Sequence, residues 1–433
     1  MSALNASLAA ARSRVGERVR RGGREFATLL LSTVVFHAAR IGIGLWAAAA
    51  LGPERFGRWN LLAVVIGYAR HAHLGVLNAM GREVPIALGR GDRASASALE
   101  GVGFAAALVG AVVVLAGGCA ALLEPAVRAW VEPSVVVLAA AMAASRLPFI
   151  FVTMRARSRL EFASLSLQFG IAGCVTVLSY ALWGHGHDLT GLAACSALGY
   201  AAACALALAA EPATPRFRDL QPRRLRPLVA IGFPLLSAGI LYSLLTSIDR
   251  WVIVYFLGVL PLGHYTLAIV AFGAASLVPQ VVSQLSYPRM GHAFGRLGEA
   301  GALRGLARRQ SLQSAGVTLP AVALLWLALP ALAARFLPAY VEGVGAARVL
   351  LLGVSAYSLA IGPANLLVTT GHQRLYLALQ AASVALNALL SAGAAAAGFG
   401  LTGVAAGSAV ALAFYTAGLL VATARATRSP PAA

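Results

Sequence analysis

The chain has 433 residues, of which 59% are hydrophobic and only 11% are charged, and its mean hydropathy is +0.79. One soluble core of this length cannot enclose so much apolar surface, which excludes a soluble globular protein and indicates that a bilayer is the solvent. The formal net charge of +19 raises the alternative of a nucleic-acid partner.

Twelve apolar stretches follow one another along the chain, each about 18 residues or longer and thus able to cross a bilayer as a helix. In chain order they are roughly 26–51, 57–80, 97–122, 134–154, 163–184, 189–210, 228–257, 263–288, 311–334, 344–370, 375–397 and 401–423. The sequence therefore predicts an all-α polytopic membrane protein with twelve transmembrane helices.

The basic residues, all of them arginine, are distributed unevenly. Of 34, 25 lie in alternate connections, namely the N-terminal arm, the loops after the even-numbered helices and the C-terminal tail, whereas only five lie in the intervening loops. The positive-inside rule then places both termini in the cytoplasm. We interpret the arginine excess as topology and attraction to anionic membrane lipids, with no nucleic-acid partner.

Two sequence echoes indicate a tandem duplication. LTGLAACSA from Leu189 returns as LTGVAAGSA from Leu401, and LGPERFGRWNLLAVVIG from Leu51 aligns with LGVLPLGHYTLAIVAFG from Leu257, 206 positions later. Both offsets are close to half the chain length. Since six helices per copy make both copies enter from the same side, the repeats are expected to be parallel around a central cavity, an arrangement found in transporters.

The expected domain organisation follows from these boundaries. It consists of a cytoplasmic Arg-rich arm 1–25, an N-terminal six-helix bundle 26–210, a cytoplasmic linker 211–227, a C-terminal six-helix bundle 228–424 and a cytoplasmic tail 425–433.

Four arginines interrupt apolar stretches. Counting from the helix ends places Arg40, Arg70 and Arg146 near the bilayer centre, and Arg250 follows the only deeply placed acid, Asp249. Each cation facing lipid would cost about 2.5–3.5 kcal/mol. We expect them to face a wet cavity and to bind a pyrophosphate or other anionic headgroup, because guanidinium pairs bidentately with phosphate. The alternative is that they bond helix carbonyls or snorkel to an interface.

Two groups are candidates for coupling to an ion gradient. His37 lies three residues before Arg40 on one helix face and titrates near neutral pH, although packing histidines are commoner. Asp249 is the other candidate, with pairing to Arg250 as its alternative.

Polar residues recur at spacings of three and four in the C-terminal bundle, as a lined cavity or an interhelical hydrogen-bond seam would require. The candidate lining residues are Tyr242, Thr246, Gln280, Ser283, Asn365, Gln380 and Asn387.

Signals for enzymatic chemistry are missing from the sequence. The chain has no lysine and so no P-loop, no HExxH and no paired aspartates of a glycosyltransferase, and it predicts no metal and no cofactor. A membrane polymerase or ligase remains as a rival, but it would need a sizeable non-cytoplasmic catalytic loop.

Several stretches resemble the polysaccharide transporter branch of the multidrug/oligosaccharidyl-lipid/polysaccharide exporter superfamily. They are ARIGIGLWAAAALGPERFGRW from Ala39, FPLLSAGILYSLLTSIDRWVIVYFLGVLPLGHYTLA from Phe233, SYPRM from Ser286 and NLLVTTGHQRLYLALQAASVALNALLSAGAAAAGFGLTGVAAGSA from Asn365. The resemblance implies two six-helix bundles around a V-shaped, cation-lined cavity.

The function that the resemblance implies is a flippase of the bacterial inner membrane. It would move undecaprenyl-pyrophosphate-linked oligosaccharide units by alternating access for surface polysaccharide such as lipopolysaccharide or exopolysaccharide, with polysaccharide assembly proteins as further partners. A cation-coupled drug or small-solute exporter of the same superfamily is the alternative. Helix 1 of such drug exporters commonly carries an acid, whereas this chain offers His37 and Arg40 there.

Overall fold

The computed structural model describes residues 2–89, 91–159, 161–181, 188–210, 222–297 and 301–426, and within them it contains helices and short 3-10 turns but no strand. Eleven stretches of these residues are long and apolar enough to cross a membrane, so the chain is a multi-pass membrane protein. The helices are α1 Ser2–Ala69, α2 Val76–Gly89, α3 Arg93–Ala121, α4 Pro125–Trp130, α5 Pro133–Ser158, α6 Phe162–Ala181, α7 Leu189–Ala210, α8 Leu225–Leu245, α9 Ile248–Phe256, α10 Val259–His264, α11 Thr266–Leu297, α12 Arg304–Phe336, α13 Val344–Tyr357, α14 Ile361–Thr369, α15 Gln373–Ala396 and α16 Gly400–Ala426.

Helix α1 contains the first two membrane crossings. Gly52 interrupts it with φ 72° and ψ 170°, a conformation that glycine adopts without a steric penalty. Arg40 and Ile66 line one pocket, whereas an unbroken helix would place them about 39 Å apart. The chain therefore folds back at Gly52, and the eleven candidate stretches contain the twelve predicted crossings.

The predicted domain boundaries fall only partly on described residues. The backbone of the predicted arm is helical from Ser2 and continuous with α1. Linker residues 211–221 and tail residues 427–433 lie outside the described residues. We call the helices up to residue 210 the N-half and those from residue 222 the C-half.

The predicted duplication is visible in the backbone. Gly258 precedes α10 with φ 96° and ψ −176°, which repeats the conformation of Gly52, 206 positions earlier. The Asn60 side-chain amide donates a 2.8 Å hydrogen bond to the Thr266 hydroxyl, and these two residues are also 206 positions apart. Because equivalent residues can touch each other only on a two-fold axis, this pair marks a pseudo-two-fold axis between two parallel repeats.

The halves pack backbone to backbone around this axis. A Cβ atom added to Gly57 would overlap the Val259 carbonyl oxygen, and one added to Gly263 would overlap the Pro53 carbonyl oxygen. The two contacts are equivalent under the duplication. The surrounding hydrophobic cluster, which includes Leu51, Phe56, Leu262 and Tyr265, draws residues from both halves. We call the end of the bundle that contains Gly57 and Gly263 the Arg-poor end, because it lies on the side of the loops with few arginines. Backbone contact closes this end.

Three predicted crossings are interrupted rather than continuous helices, which corrects the sequence-based segments. Segment 57–80 breaks at 70–75, segment 228–257 at 246–247 and segment 344–370 at 358–360. In the last case Pro363 lacks the N–H that would bond the Leu359 carbonyl, and the Ser311 hydroxyl donates to that carbonyl instead at 2.7 Å.

A buried ion-pair cluster fixes the opposite, Arg-rich end of the N-half. Glu100 of α3 accepts from Arg155 of α5 at 3.2 Å and from two nitrogens of Arg159 at 2.7 and 2.8 Å. The Glu100 side chain is 3% exposed. Two guanidinium groups on one carboxylate thus hold the end of α5 against α3.

Candidate transport site between the two halves

Two of the helix breaks face each other across the centre of the molecule. Nη2 of Arg70 donates to the Ser243 hydroxyl at 2.7 Å, and Nε2 of His71 lies 3.2 Å from the same hydroxyl. The hydroxyls of Tyr68 and Ser247 are 2.6 Å apart. We call these five residues the break interface. Discontinuous helices expose backbone ends, which is why transporters commonly build substrate sites on them.

The backbone explains how the N-half forms its part of the break interface. Leu74 has φ 49° and Gly75 has φ 85°, so the helix stops and restarts as α2 in a new direction. Gly75 lies in direct backbone contact with Gly232, which leaves no room for a Cβ atom and seats α2 on α8. Arg70 is thus the first residue of a turn, whereas the sequence had placed it inside a helix.

Arg40 and Arg146 occupy a different place. Both line a partly open pocket of about 170 Å³ whose described lining residues all belong to the N-half. Their guanidinium carbons lie 5.7 and 5.3 Å from the centre of the Tyr200 ring, within cation–π range. Arg40 also lies 5.6 Å from the Phe36 ring, which packs edge-on against His37. The structure therefore separates these two arginines from Arg70.

The Asp249 carboxylate does not pair with the guanidinium group of Arg250, the next residue in the sequence. It accepts from the Tyr265 hydroxyl at 2.8 Å and from the Arg250 backbone N–H at 2.8 Å. Among the described residues no ion pair forms between the Asp249 and Arg250 side chains, and the buried Nε of Arg250 has no hydrogen-bond partner. Asp249 is 4% exposed, directly after the break between α8 and α9.

Asn387 extends the polar cluster around Asp249. Its amide nitrogen donates to the Leu245 carbonyl at 3.0 Å, and its oxygen accepts from Ser391 at 2.8 Å and from Ser408 at 3.1 Å. Asn387 is fully buried and so forms a seam between helices. Among the described residues no cluster of three or more His, Cys, Asp or Glu could hold a metal ion. The oxygens near Asp249 could accept a proton or a hard monovalent cation.

Three of the predicted lining residues lie within the C-half as hydrogen-bonding groups. Ser283 donates to Asn365 at 3.1 Å, and Asn365 donates to Gln310 at 3.2 Å. Gln380 is fully buried and donates to the Tyr376 hydroxyl at 3.2 Å. These contacts match the seam that the spacing allowed.

The other three predicted lining residues are half-buried. The Tyr242 ring packs against the Tyr357 ring at 6.0 Å. Thr246 hydrogen-bonds the carbonyls of Tyr242 and Ser243 on its own helix. Gln280 is half-buried on α11. Ser283 belongs to the same half-buried class as these three.

Some residues of the site escaped the sequence analysis. The predicted lining residues of segment 228–257 were Tyr242 and Thr246. The side chains of this segment that meet the N-half are instead Ser243 and Ser247. Their spacing of four residues was the available signal. Tyr68 lies two residues before Arg70 in the sequence, and Tyr200 lies in an apolar stretch without a charged neighbour, so neither gave a pattern.

The fold is that of MATE transporters. One matching solved structure is described as an inward-facing multidrug resistance MATE family transporter of the MOP superfamily; it has a TM-score of 0.74 and 16% identity, over 92% of this chain and 96% of that one. A MATE transporter from Vibrio cholerae matches with a TM-score of 0.72 and 14% identity, over 94% and 97%.

A third solved structure with this fold differs in its description. It is a MOP superfamily transporter from Pyrococcus furiosus whose reverse polarity of the binding pocket is described as suggesting a different function; the TM-score is 0.70 and the identity 16%, over 94% and 96% of the chains. No family model matches this sequence, and no curated protein matches it. The fold alone therefore does not identify what the protein binds.

Proposed function

We propose that the protein is a transporter that exports an anionic cargo by alternating access between its two halves. The observation that carries this proposal is Arg70, a cation in the centre of the molecule whose side-chain hydrogen bonds go to Ser243 and His71, with no carboxylate within 4 Å among the described residues. An unpaired central cation favours an anion and repels a cationic drug.

The cargo that fits these groups best is a lipid-linked oligosaccharide with a pyrophosphate link. Arg70 would pair with the phosphate, because guanidinium presents a planar fork to phosphate oxygens. The hydroxyl groups of Tyr68, Ser243 and Ser247 would hydrogen-bond the sugar. The family resemblance of the sequence supports the same cargo and the bacterial inner membrane as its location, with both termini cytoplasmic.

A drug or small-solute exporter is the second candidate, and the descriptions of the matching transporters favour it. For this chain the central charge would select anionic rather than cationic compounds. Increased drug susceptibility of a deletion strain, with normal surface polysaccharide, would favour this candidate over the flippase.

The contacts between the halves differ at the two ends. Backbone packing around Gly57 and Gly263 closes the Arg-poor end. Among the described residues, the contacts at the Arg-rich end include two long side-chain hydrogen bonds between the halves, Arg157 to Gln284 at 3.4 Å and Arg224 to Ser95 at 3.3 Å, and the packing of Leu228 of α8 in an N-half hydrophobic cluster. We therefore infer that cargo enters from the Arg-rich, cytoplasmic end in this state and leaves after the Arg-poor end opens.

Replacement of Arg70 tests the proposed cargo. R70Q is expected to reduce export at least tenfold, because the anion loses its charged partner, and R70K should retain part of it. The measurement is surface polysaccharide together with lipid-linked repeat units held at the cytoplasmic leaflet, at equal protein level. R58Q is the matched control, since Arg58 pairs with Glu54 on the exposed surface. Normal export by R70Q would contradict the proposal.

Asp249 is the proposed coupling residue. D249N is expected to remove the dependence of export on a proton or sodium gradient, because the amide neither titrates nor supplies a negative charge, while D249E retains the dependence. The measurement is export from energised inverted membrane vesicles with and without each ionophore. An unchanged ionophore response in D249N would assign coupling elsewhere.

A further inference from the structure

The pocket inside the N-half is lined by other residues than those of the break interface. Its described lining residues lie on the two arms of α1 and on α5, α6 and α7. Arg70 does not line it, although Arg40 and Arg146 do. The pocket therefore requires a ligand of its own.

The open polar groups of this pocket are hydrogen-bond donors. Among the described residues, neither Arg40 nor Arg146 has a hydrogen bond or ion pair; each has only the ring contact with Tyr200 and, for Arg40, Phe36. No Asp or Glu is among the described residues that line the pocket. The Tyr200 hydroxyl is buried and has no hydrogen-bond partner, whereas Arg40 is exposed and Arg146 is half-buried. Buried polar groups are almost always paired, so the Tyr200 hydroxyl calls for a partner that the described residues do not supply.

The neighbouring hydroxyl groups are already occupied. Tyr180 and Ser196 share a hydrogen bond, and Ser196 also donates to the Leu192 carbonyl at 2.7 Å. Thr176 donates to the Ala172 carbonyl at 2.6 Å. The site thus presents two positive charges and one unpaired phenol, which together define an anion site.

The volume restricts the ligand to a small one. A cavity of about 150 Å³ admits one benzene molecule, and this pocket has about 170 Å³. We propose that the N-half pocket binds one free tetrahedral oxyanion of the size of inorganic phosphate, held between Arg40 and Arg146. The anion would neutralise both guanidinium groups and hold α1, α5 and α7 together.

The test measures binding by the purified full-length protein, so it is independent of any transport assay. Thermal stability in detergent is followed against inorganic phosphate, sulfate and chloride, at constant ionic strength set with gluconate. Phosphate or sulfate is expected to raise the melting temperature with saturation, as a ligand specific to the folded state does. R146Q should weaken the apparent affinity at least tenfold and Y200F about three-fold or more.

Matched variants distinguish phosphate bound in the N-half pocket from phosphate bound at the break interface. R70Q, in the break interface, should change the apparent affinity less than R146Q does, because Arg70 does not line the pocket although its charge acts on Arg146. If R70Q abolishes the response and R146Q does not, the anion binds at the break interface and the proposal is overturned. It is also overturned if wild type shows no saturable response, or if Y200F and R146Q both respond like wild type. Y200F keeps the test valid should R146Q fail to fold.

Discussion

Alanine at Gly57 and Gly263 is expected to reduce export by about 5-fold to 150-fold. Each added methyl group overlaps a carbonyl oxygen of the opposite half, on Val259 and Pro53 respectively. Overpacking of this kind costs about 1–3 kcal/mol, which lowers the population of the closed state by about that factor. Under the proposed function export decreases, because the transport cycle requires the Arg-poor end to close.

The duplication supplies matched controls for this prediction. Gly67 and Gly273 form another equivalent pair, in the same two segments, and neither has an atom within 4 Å of an added Cβ. G67A and G273A are therefore expected to export normally. Export is measured at equal protein level in membranes. Equal activity of the G57A/G263A and G67A/G273A double variants would show that the backbone contact between the halves has no role in transport.

Glutamine at Glu100 is expected to destabilise the protein by about 3–5 kcal/mol, the usual cost of removing one partner from a buried ion pair. The carboxylate is 3% exposed, and its loss removes the counter-charge that it supplies to Arg155, which is 4% exposed. Thermal unfolding in detergent should show a clear decrease in melting temperature for E100Q.

The control for Glu100 is the exposed pair between Glu54 and Arg58, whose side chains are 64% and 41% exposed. E54Q should leave the melting temperature nearly unchanged, because exposed ion pairs contribute about 0–1 kcal/mol. A similar melting temperature for E100Q and E54Q would mean that the cluster at the Arg-rich end is structurally dispensable.

Sequence periodicity and charge were sufficient to predict the twelve crossings and the parallel duplication. The offset of 206 positions reappears in the Asn60 to Thr266 hydrogen bond and in the paired glycine contacts at the Arg-poor end. Such agreement is expected, because hydropathy reports segment length directly and the duplicated glycines are needed where two backbones touch.

Helix continuity could not be predicted in the same way. Segments 57–80 and 228–257 are each long and apolar enough to cross the bilayer, and a hydropathy pattern does not distinguish a broken helix from a straight one. Leu74 adopts a left-handed conformation that its own side chain disfavours, so tertiary packing of Gly75 against Gly232 must impose it.

The assignment of the arginines had a related limit. Counting residues gave Arg40, Arg70 and Arg146 one depth, but depth does not specify which neighbour each side chain faces. The structure separates them, with Arg70 toward Ser243 of the C-half and the other two around Tyr200. The anion-binding roles proposed for these three arginines are supported by the absence of acidic partners for them among the described residues.

The movement of the two halves is tested most directly by a distance across the Arg-poor end. Glu54 and Leu260 are equivalent under the duplication, and both are exposed. Spin labels there, with Cys119, Cys174, Cys195 and Cys204 replaced by alanine, report that distance by double electron–electron resonance in lipid nanodiscs. We expect a short and a long population in the wild-type background and only the long one with G57A/G263A. A single distance, identical in both proteins, would contradict alternating access through this contact.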